Sequence, residues 1–186
     1  MIIRILKYIF SFIVFLILFA FTYAEIYGNF HKIDNDVYRS GKLNKYNLPY
    51  YLNKYEIKTV LNLHGTSSKS WYQNEKDITK SLNVNHINFK MNSGSYYDFN
   101  KTSELIEVMR KAQKPMLIHC LGGADRTSLA AALYQYAIID KSEEEAREQL
   151  SWIYGHFPSL RPHVIAMDNS FDNYIKVSKD LKYESK

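Results

Sequence analysis

The chain has 186 residues, of which 46% are hydrophobic and 23% are charged, a composition typical of one globular domain with its own core. Its formal net charge of +5 is too small an excess to predict nucleic-acid binding, and it suits an anionic small substrate or an anionic surface. The single cysteine, Cys120, excludes a disulfide within the chain and a multi-cysteine zinc site.

Within residues 1–24, the basic residues Arg4 and Lys7 precede an apolar run from Tyr8 to Ala24. Such a segment is typical of a membrane anchor or a signal peptide, and only a weak cleavage signal stands at its end. We therefore predict an uncleaved single-pass membrane anchor, followed by a juxtamembrane linker at 25–36. The basic residues favour a cytoplasmic N-terminus, so the rest of the chain is expected to be extracytoplasmic, or exported if the segment is cleaved.

Strand-like and helix-like segments then alternate along residues 37–182, the predicted globular domain. Short β-branched or apolar runs predict strands at 37–40, 57–63, 84–89 and 115–119. Periodicity and capping signals, including the Ser142–Glu145 capping box, predict helices at 44–55, 70–82, 102–112, 126–139, after 142 and at 164–181. This order predicts an α/β domain with a small, mostly parallel sheet that helices cover on both faces.

The turn after the strand at 115–119 carries the residues for chemistry, because ligands of parallel sheets bind outside the carboxyl ends of strands. From His119 to Ser128 it reads HCLGGADRTS. Its glycines let successive backbone N–H groups point inward, and the start of the next helix adds to this anion nest. Arg126 can grip two phosphate oxygens, and the same positive field favours the Cys120 thiolate. The turn therefore predicts a thiolate nucleophile facing an oxyanion site.

The turn resembles the His-Cys-x5-Arg-Ser/Thr signature of the protein tyrosine and dual-specificity phosphatases. Further segments are similar to a bacterial, often membrane-anchored branch of the dual-specificity group: VYRSGKL at 37–43, IKTVLNLHG at 57–65, residues 71–75 and LSWIYGHFP at 150–158. The resemblance covers roughly residues 28–175. It implies a cysteine-phosphatase fold that needs no cofactor and no metal, because the nest and the arginine supply the positive potential.

The resemblance also implies a role for each residue of the turn. Cys120 attacks phosphorus, while the Arg126 guanidinium and the backbone N–H groups around it hold the phosphate oxygens. Thr127 hydrogen-bonds the sulfur, and His119 positions the turn and helps to set the pKa of the thiol. The expected substrate-binding residues, called the phosphate cradle below, are Leu121, Gly122, Gly123, Ala124, Asp125 and Arg126.

A general acid must protonate the leaving oxygen, and two carboxylates are candidates. Asp98 lies in the loop 91–100, where relatives carry an acid, although it is closer to Cys120 in sequence than is usual. Asp125 belongs to a Cys-x-x-Gly-x-Asp-Arg-Thr pattern that resembles myotubularins and some bacterial lipid-directed phosphatases. The alternative roles are an ordinary loop carboxylate for Asp98 and a stabilising helix N-terminal charge for Asp125.

The remaining histidines either differ from the family pattern or show no spacing typical of metal ligands. His64 stands where relatives often carry arginine, which predicts either a weaker substrate contact or control by pH. Four further histidines show no ligand spacing and are predicted to be structural or surface residues: His31, His86, His156 and His163.

The resemblance implies a phosphomonoester hydrolase of the dual-specificity or tyrosine phosphatase type that acts on phosphorylated protein. The Asp125–Arg126 pair and the predicted anchor favour a phospholipid or inositol phosphate substrate instead, whereas Leu121 and Ala124 stand where a lipid phosphatase often places lysines. An inactive, membrane-tethered phosphate-binding module is a third hypothesis, which the intact Cys120 and Arg126 oppose. A rhodanese-like sulfurtransferase does not share the upstream segments.

Overall fold

Five short strands form one sheet in the computed structural model, which describes residues 2–184. In chain order they are β1 (His31–Asp34), β2 (Val37–Ser40), β3 (Thr59–Asn62), β4 (Asn85–Asn88) and β5 (Met116–His119). The spatial order is β1-β2-β5-β3-β4, with β1 antiparallel to β2 and the other neighbours parallel. The turn that follows β5 therefore starts at the middle of the sheet.

The helices of the described residues lie before, between and after the strands. They are α1 (Ile2–Tyr27), α2 (Asn47–Lys54), α3 (Ser70–Ser81), α4 (Phe99–Lys111), α5 (Asp125–Ala137), α6 (Glu143–Arg147) and α7 (Ile165–Glu184), with 3-10 turns at Trp152–Tyr154 and Pro162–Val164. Along β5, Met116 and Ile118 join a buried cluster with α4, α5 and α7, whereas Leu117 joins a second cluster with α2. This alternation is how a strand covered on both faces divides its side chains.

The predicted α/β class with a small, mostly parallel sheet is confirmed. The strands β2 to β5 lie within the predicted runs, and the helices differ from the predicted ranges only at their ends. The strand β1 is a difference, because its residues 31–34 fall in the predicted linker 25–36. It pairs with β2 across a two-residue turn at Asn35 and Asp36, residue types that favour tight turns.

The N-terminal helix α1 corrects the predicted membrane anchor. Within residues 2–184, no helix is long and apolar enough to cross a membrane. The predicted single-pass anchor, the membrane as a partner and the extracytoplasmic location derived from it are therefore wrong.

Candidate active site

The phosphate cradle packs against the end of β2. Gly123 has a φ of +73°, and a Cβ at this position would lie 2.4 Å from the backbone nitrogen of Gly41. Both its positive φ and this close approach require glycine. The N–H of Lys42 donates to the carbonyl of Leu121 at 2.9 Å. Strand β2 thus fixes the path of the turn that joins β5 to α5.

Cys120 is 3% exposed at the carboxyl end of β5. Burial acts to raise the pKa of its thiol, but the charge on Arg126, the hydroxyl and N–H of Thr127 and the N–H of Gly123 outweigh burial, so that the pKa is lowered. The buried Thr127 hydroxyl has no hydrogen-bond partner of good geometry among the described residues. The environment therefore favours a thiolate.

Arg126 stands in the first turn of α5, directly after the cradle. Its Nη1 donates to the carbonyl of Met91 at 3.2 Å, which fixes the guanidinium from the loop that leads to α4. Its Nε is buried and has no partner within the described part of the chain. A buried N–H left unpaired is costly, and a phosphate oxygen bound in the cradle can satisfy it.

A second arginine, Arg39, lies fully buried behind the cradle on β2. Its Nη2 donates to the carbonyl of Gly123 at 2.9 Å and to the hydroxyl of Ser128 at 2.7 Å. Its Nη1 donates to the backbone and side-chain oxygens of Gln149 at 3.1 and 2.7 Å. Burial lowers the pKa of Arg39 to about 10, although the nearby Tyr154 and Cys120 favour its charge. Arg39 thereby holds the cradle from behind.

A carboxylate from α3 reaches the residue that precedes the nucleophile. Glu75 is 2% exposed, and its Oε2 lies 3.2 Å from Nε2 of His119, an ion-pair distance without good hydrogen-bond alignment. Its Oε1 accepts from His86 at 2.8 Å and from Asn62 at 3.2 Å. Burial opposes ionisation of Glu75, but the two histidines outweigh it and lower its pKa to about 2.

Asp125 is tied to the segment that follows α6. Its Oδ1 accepts from Nδ1 of His156 at 2.9 Å and from Arg161 at 3.0 Å, and its Oδ2 accepts from Arg161 at 2.9 Å. The second ring nitrogen of His156 lies 2.9 Å from Asp168. Because both ring nitrogens face carboxylates, both must donate, and the ring is an imidazolium.

The pKa values agree with this assignment. Burial alone acts to lower the pKa of His156, yet Asp125 and Asp168 raise it to about 9. Burial acts to raise the pKa of Asp125, but His156 and Arg161 hold it below its usual range. Asp125 is thus an ionised residue within an ion-pair network.

Asp98 and His64 lie at the border of the site. The exposed Asp98 caps α4, where its carboxylate accepts the N–H of Lys101 at 2.9 Å. It ends the loop that starts at Met91, the partner of Arg126. The pKa of His64 is lowered by burial and by the charge on Arg126, which favours a neutral imidazole beside the site.

Sequence reasoning missed several of these partners. Glu75 entered it only within the segment 71–75, and Arg39 only within 37–43. A usable signal for Glu75 is that Tyr72, Glu75 and Thr79 recur at helical spacing and are the buried residues of α3. No local signal links His156 to Asp125, because their contact joins distant parts of the chain.

This fold and this turn define the class of cysteine-based tyrosine and dual-specificity phosphatase-like proteins. The chain belongs to the tyrosine phosphatase family, whose family model matches residues 27–135. No curated protein matches the chain.

Several solved structures share the fold. TpbA of P. aeruginosa is 19% identical with a TM-score of 0.58, and the match covers 81% of this chain and 91% of that chain. PTPMT1 is 17% identical with a TM-score of 0.56, covering 81% and 99%. Tk-PTP in its active form is 17% identical with a TM-score of 0.57, covering 77% and 97%. At these identities the likeness concerns the fold.

Proposed function

We propose that the chain is a metal-independent phosphomonoesterase that works through a phospho-Cys120 intermediate. The observation that carries this proposal is the buried thiol with its lowered pKa beside an Arg126 Nε that has no partner among the described residues. The thiolate attacks phosphorus, and the sulfur–phosphorus bond forms as the bond to the leaving oxygen breaks. The guanidinium and the N–H groups of the cradle stabilise the charge on the phosphate oxygens.

In the second step water attacks the phospho-cysteine, which releases inorganic phosphate and returns the thiolate. We assign Thr127 to this step, because a hydrogen bond from its hydroxyl stabilises the departing sulfur. The contribution of Thr127 to the lowered pKa of Cys120 supports this assignment. His119 helps to position the turn, because its Nδ1 lies 3.2 Å from the carbonyl oxygen of Cys120.

We propose Asp98 as the general acid and Asp125 as a residue that holds the cradle in place. A general acid must carry a proton at the start of the reaction, whereas the Asp125 carboxylate has a lowered pKa and accepts hydrogen bonds from His156 and Arg161. We place the general acid at Asp98 because its carboxylate is exposed at the end of the loop whose first residue, Met91, accepts a hydrogen bond from Arg126.

The proposed substrates are phosphorylated side chains of proteins, and a TpbA structure in complex with phosphotyrosine supports that chemistry on this fold. One observation favours the second candidate, a phospholipid or inositol phosphate with an apolar group. A cavity of about 780 Å³ borders the outer side of the cradle at Gly122 and Ala124, and the aromatic Trp152 and Phe157 also line it.

Phosphate release by the full chain in the presence of a chelator tests the function. The substrates are an aryl phosphate, a phosphotyrosine peptide and a short-chain phosphoinositide, each assayed with wild type and Cys120→Ser. We expect turnover that Cys120→Ser abolishes, together with a phospho-enzyme that acid quenching traps in wild type alone. A folded wild type that binds phosphate without turnover would instead identify a phosphate-binding module.

A further inference from the structure

Three ionisable side chains form a continuous path from the edge of the sheet to the nucleophile. His86 on β4 donates to Glu75 on α3 at 2.8 Å. The other oxygen of Glu75 lies 3.2 Å from Nε2 of His119. Nδ1 of His119 in turn lies 3.2 Å from the carbonyl oxygen of Cys120. Neither His86 nor Glu75 takes part directly in the catalytic steps of the proposed function.

The two nitrogens of His119 decide its charge. A carbonyl oxygen only accepts hydrogen bonds, so Nδ1 must carry a proton to interact with Cys120 favourably. Nε2 faces the Glu75 carboxylate, which also accepts only. A carbonyl at Nδ1 and a carboxylate at ion-pair distance from Nε2 both favour an imidazolium, although the ring is 2% exposed. A buried cation of this kind needs a buried counter-charge.

Glu75 is built into the fold as that counter-charge. It lies on the buried face of α3 between Tyr72 and Thr79, and Asn62 holds its Oε1 from the end of β3 at 3.2 Å. These contacts leave Oε2 directed at His119. Contact with Glu75 outweighs burial and raises the pKa of His119, in agreement with the geometry.

We propose that Glu75 is a positioning residue that keeps His119 as an imidazolium and thereby holds Cys120 as a thiolate. The inference rests on the proposed role of Cys120 as the nucleophile. Other groups face the same centre: Arg126 and Arg39 face Cys120, and His64 faces His119. Glu75 differs from them because it acts on the sulfur through another side chain.

Two opposite effects set the sign of the expected change. The negative charge of Glu75 by itself disfavours a thiolate, but His119 contacts both residues, Glu75 through Nε2 and the Cys120 carbonyl through Nδ1. Without the carboxylate, burial returns His119 to its neutral form, and Cys120 loses an adjacent positive charge. Since a nearby charge shifts a pKa by roughly 1–3 units, we expect Glu75→Gln to raise the pKa of the thiol by about one unit.

The test measures the pH dependence of Cys120 alkylation by iodoacetate in the full chain. The thiolate displaces iodide from this reagent, and Cys120 is the only cysteine, so the rate reports its ionisation without requiring phosphatase turnover. Below the pKa of the wild-type thiol, Glu75→Gln should react about tenfold more slowly. The matched control is Glu104→Gln, which removes an exposed carboxylate on α4, and its profile should equal that of wild type.

A double-mutant cycle separates action through His119 from a structural role. If Glu75 acts through the imidazolium, Glu75→Gln should leave the thiol pKa almost unchanged in a His119→Asn background. An equal shift in both backgrounds, or none in wild type, would overturn the inference. Should Glu75→Gln not fold, the nitrogen NMR shifts of His119 in wild type decide the matter, since a neutral ring at pH 7 contradicts the proposal.

The two proposals fail in different ways. A chain that shows the alkylation shift but releases no phosphate from any substrate would keep the role of Glu75 and refute the phosphatase function. If the chain hydrolyses phosphate esters through Cys120 but Glu75→Gln leaves the alkylation profile unshifted, the phosphatase function stands and the role of Glu75 is refuted.

Discussion

At the scale of single residues, burial acts to raise the pKa of the Cys120 thiol, whereas the charge on Arg126 and nearby hydrogen-bond donors lower it. Arg126 serves twice, since it lowers the pKa of the thiol and offers an unpaired Nε to a phosphate oxygen. A lysine keeps the charge but lacks the planar pair of donors. The role of Arg126 can therefore be separated into charge and geometry.

We predict that Arg126→Lys keeps much of the lowered thiol pKa and loses catalysis. Removing one well-placed oxyanion donor typically costs about 10²–10³-fold in kcat, and we expect a loss of this size in kcat/KM on an aryl phosphate. Steady-state kinetics alongside the alkylation profile provides the measurement. Arg110→Lys on the exposed side of α4 serves as control and should match wild type; equal activity in Arg126→Lys contradicts the assigned grip.

The choice between the two carboxylates can be made with leaving groups. Protonation matters most when the leaving oxygen is basic, so Asp98→Asn should reduce hydrolysis of an alkyl phosphate by about 10²-fold or more and that of a nitrophenyl phosphate much less. Asp125→Asn should reduce both to a similar extent and lower the melting temperature, because it breaks the contacts to His156 and Arg161. The reverse pattern would assign the acid to Asp125.

At this scale, the sequence predicted those contacts of the site whose residues are close together in the chain. The positions of Cys120 and Arg126 in one turn follow from a contiguous motif and its strand and helix. The ion pair of Glu75 with His119 does not, because it depends on how α3 packs against the carboxyl end of β5. Glu75 and His119 are far apart in the sequence, and they come into contact only when the helix packs against the sheet.

At the scale of elements, the turn after β5 contains two adjacent glycines, Gly122 and Gly123, with different surroundings. Gly123→Ala places a Cβ against the backbone of Ser40 and Gly41 at a positive φ, so we expect a loss of several kcal/mol in unfolding free energy and an inactive cradle. At Gly122 no atom lies within 4 Å of an added Cβ. Gly122→Ala should therefore stay within about 1 kcal/mol of wild type.

Denaturant unfolding of the two glycine variants gives this comparison directly. Equal stabilities would mean that the turn adapts to an added methyl group by moving away from β2. Such a result would also weaken the view that β2 fixes the shape of the cradle.

Elements with a strong local code were predictable. The Ser142–Glu145 capping box is present with both of its hydrogen bonds, because its residues contact only each other. Strand β1 escaped prediction, since its sequence HKID is mostly polar or charged and its partner β2 supplies the pairing. Short edge strands are defined by their neighbours more than by their own composition.

At the scale of the whole molecule, the network of Asp125, His156, Arg161 and Asp168 joins the active-site turn to α7. Its imidazolium has a folded-state pKa of about 9, above the usual value of about 6.5 in an unfolded chain. The stability that this charge contributes is fully present below about pH 6.5 and is lost as the pH rises through about 9.

Thermal unfolding between pH 6 and pH 10 tests this contribution. We expect His156→Gln to destabilise the protein by roughly 3 kcal/mol at pH 7, as breaking a buried ion pair does, and to flatten the decline that wild type shows towards pH 9. Comparison with the variant removes the contribution of lysines and tyrosines that titrate nearby. Parallel declines in the two proteins would exclude His156 as the source.

The order of elements along the whole chain was predictable because strand and helix patterns alternate, and the mostly parallel sheet follows from that order. The role of the N-terminal segment was not predictable in this way, because hydropathy alone does not establish that a long helix spans a membrane. Residues 37–182 therefore gave a correct architecture, whereas the membrane anchor predicted within residues 1–24 was wrong.

The solitary Cys120 also has a consequence for oxidative chemistry. A lowered pKa increases the fraction of thiolate, the form that peroxide converts to a sulfenic acid. Many enzymes rescue such a group by forming a disulfide with a second cysteine. This sequence offers no second cysteine, so rescue must come from an external thiol such as glutathione or from a backbone nitrogen. Without such protection, further oxidation to the sulfinic acid inactivates the site irreversibly.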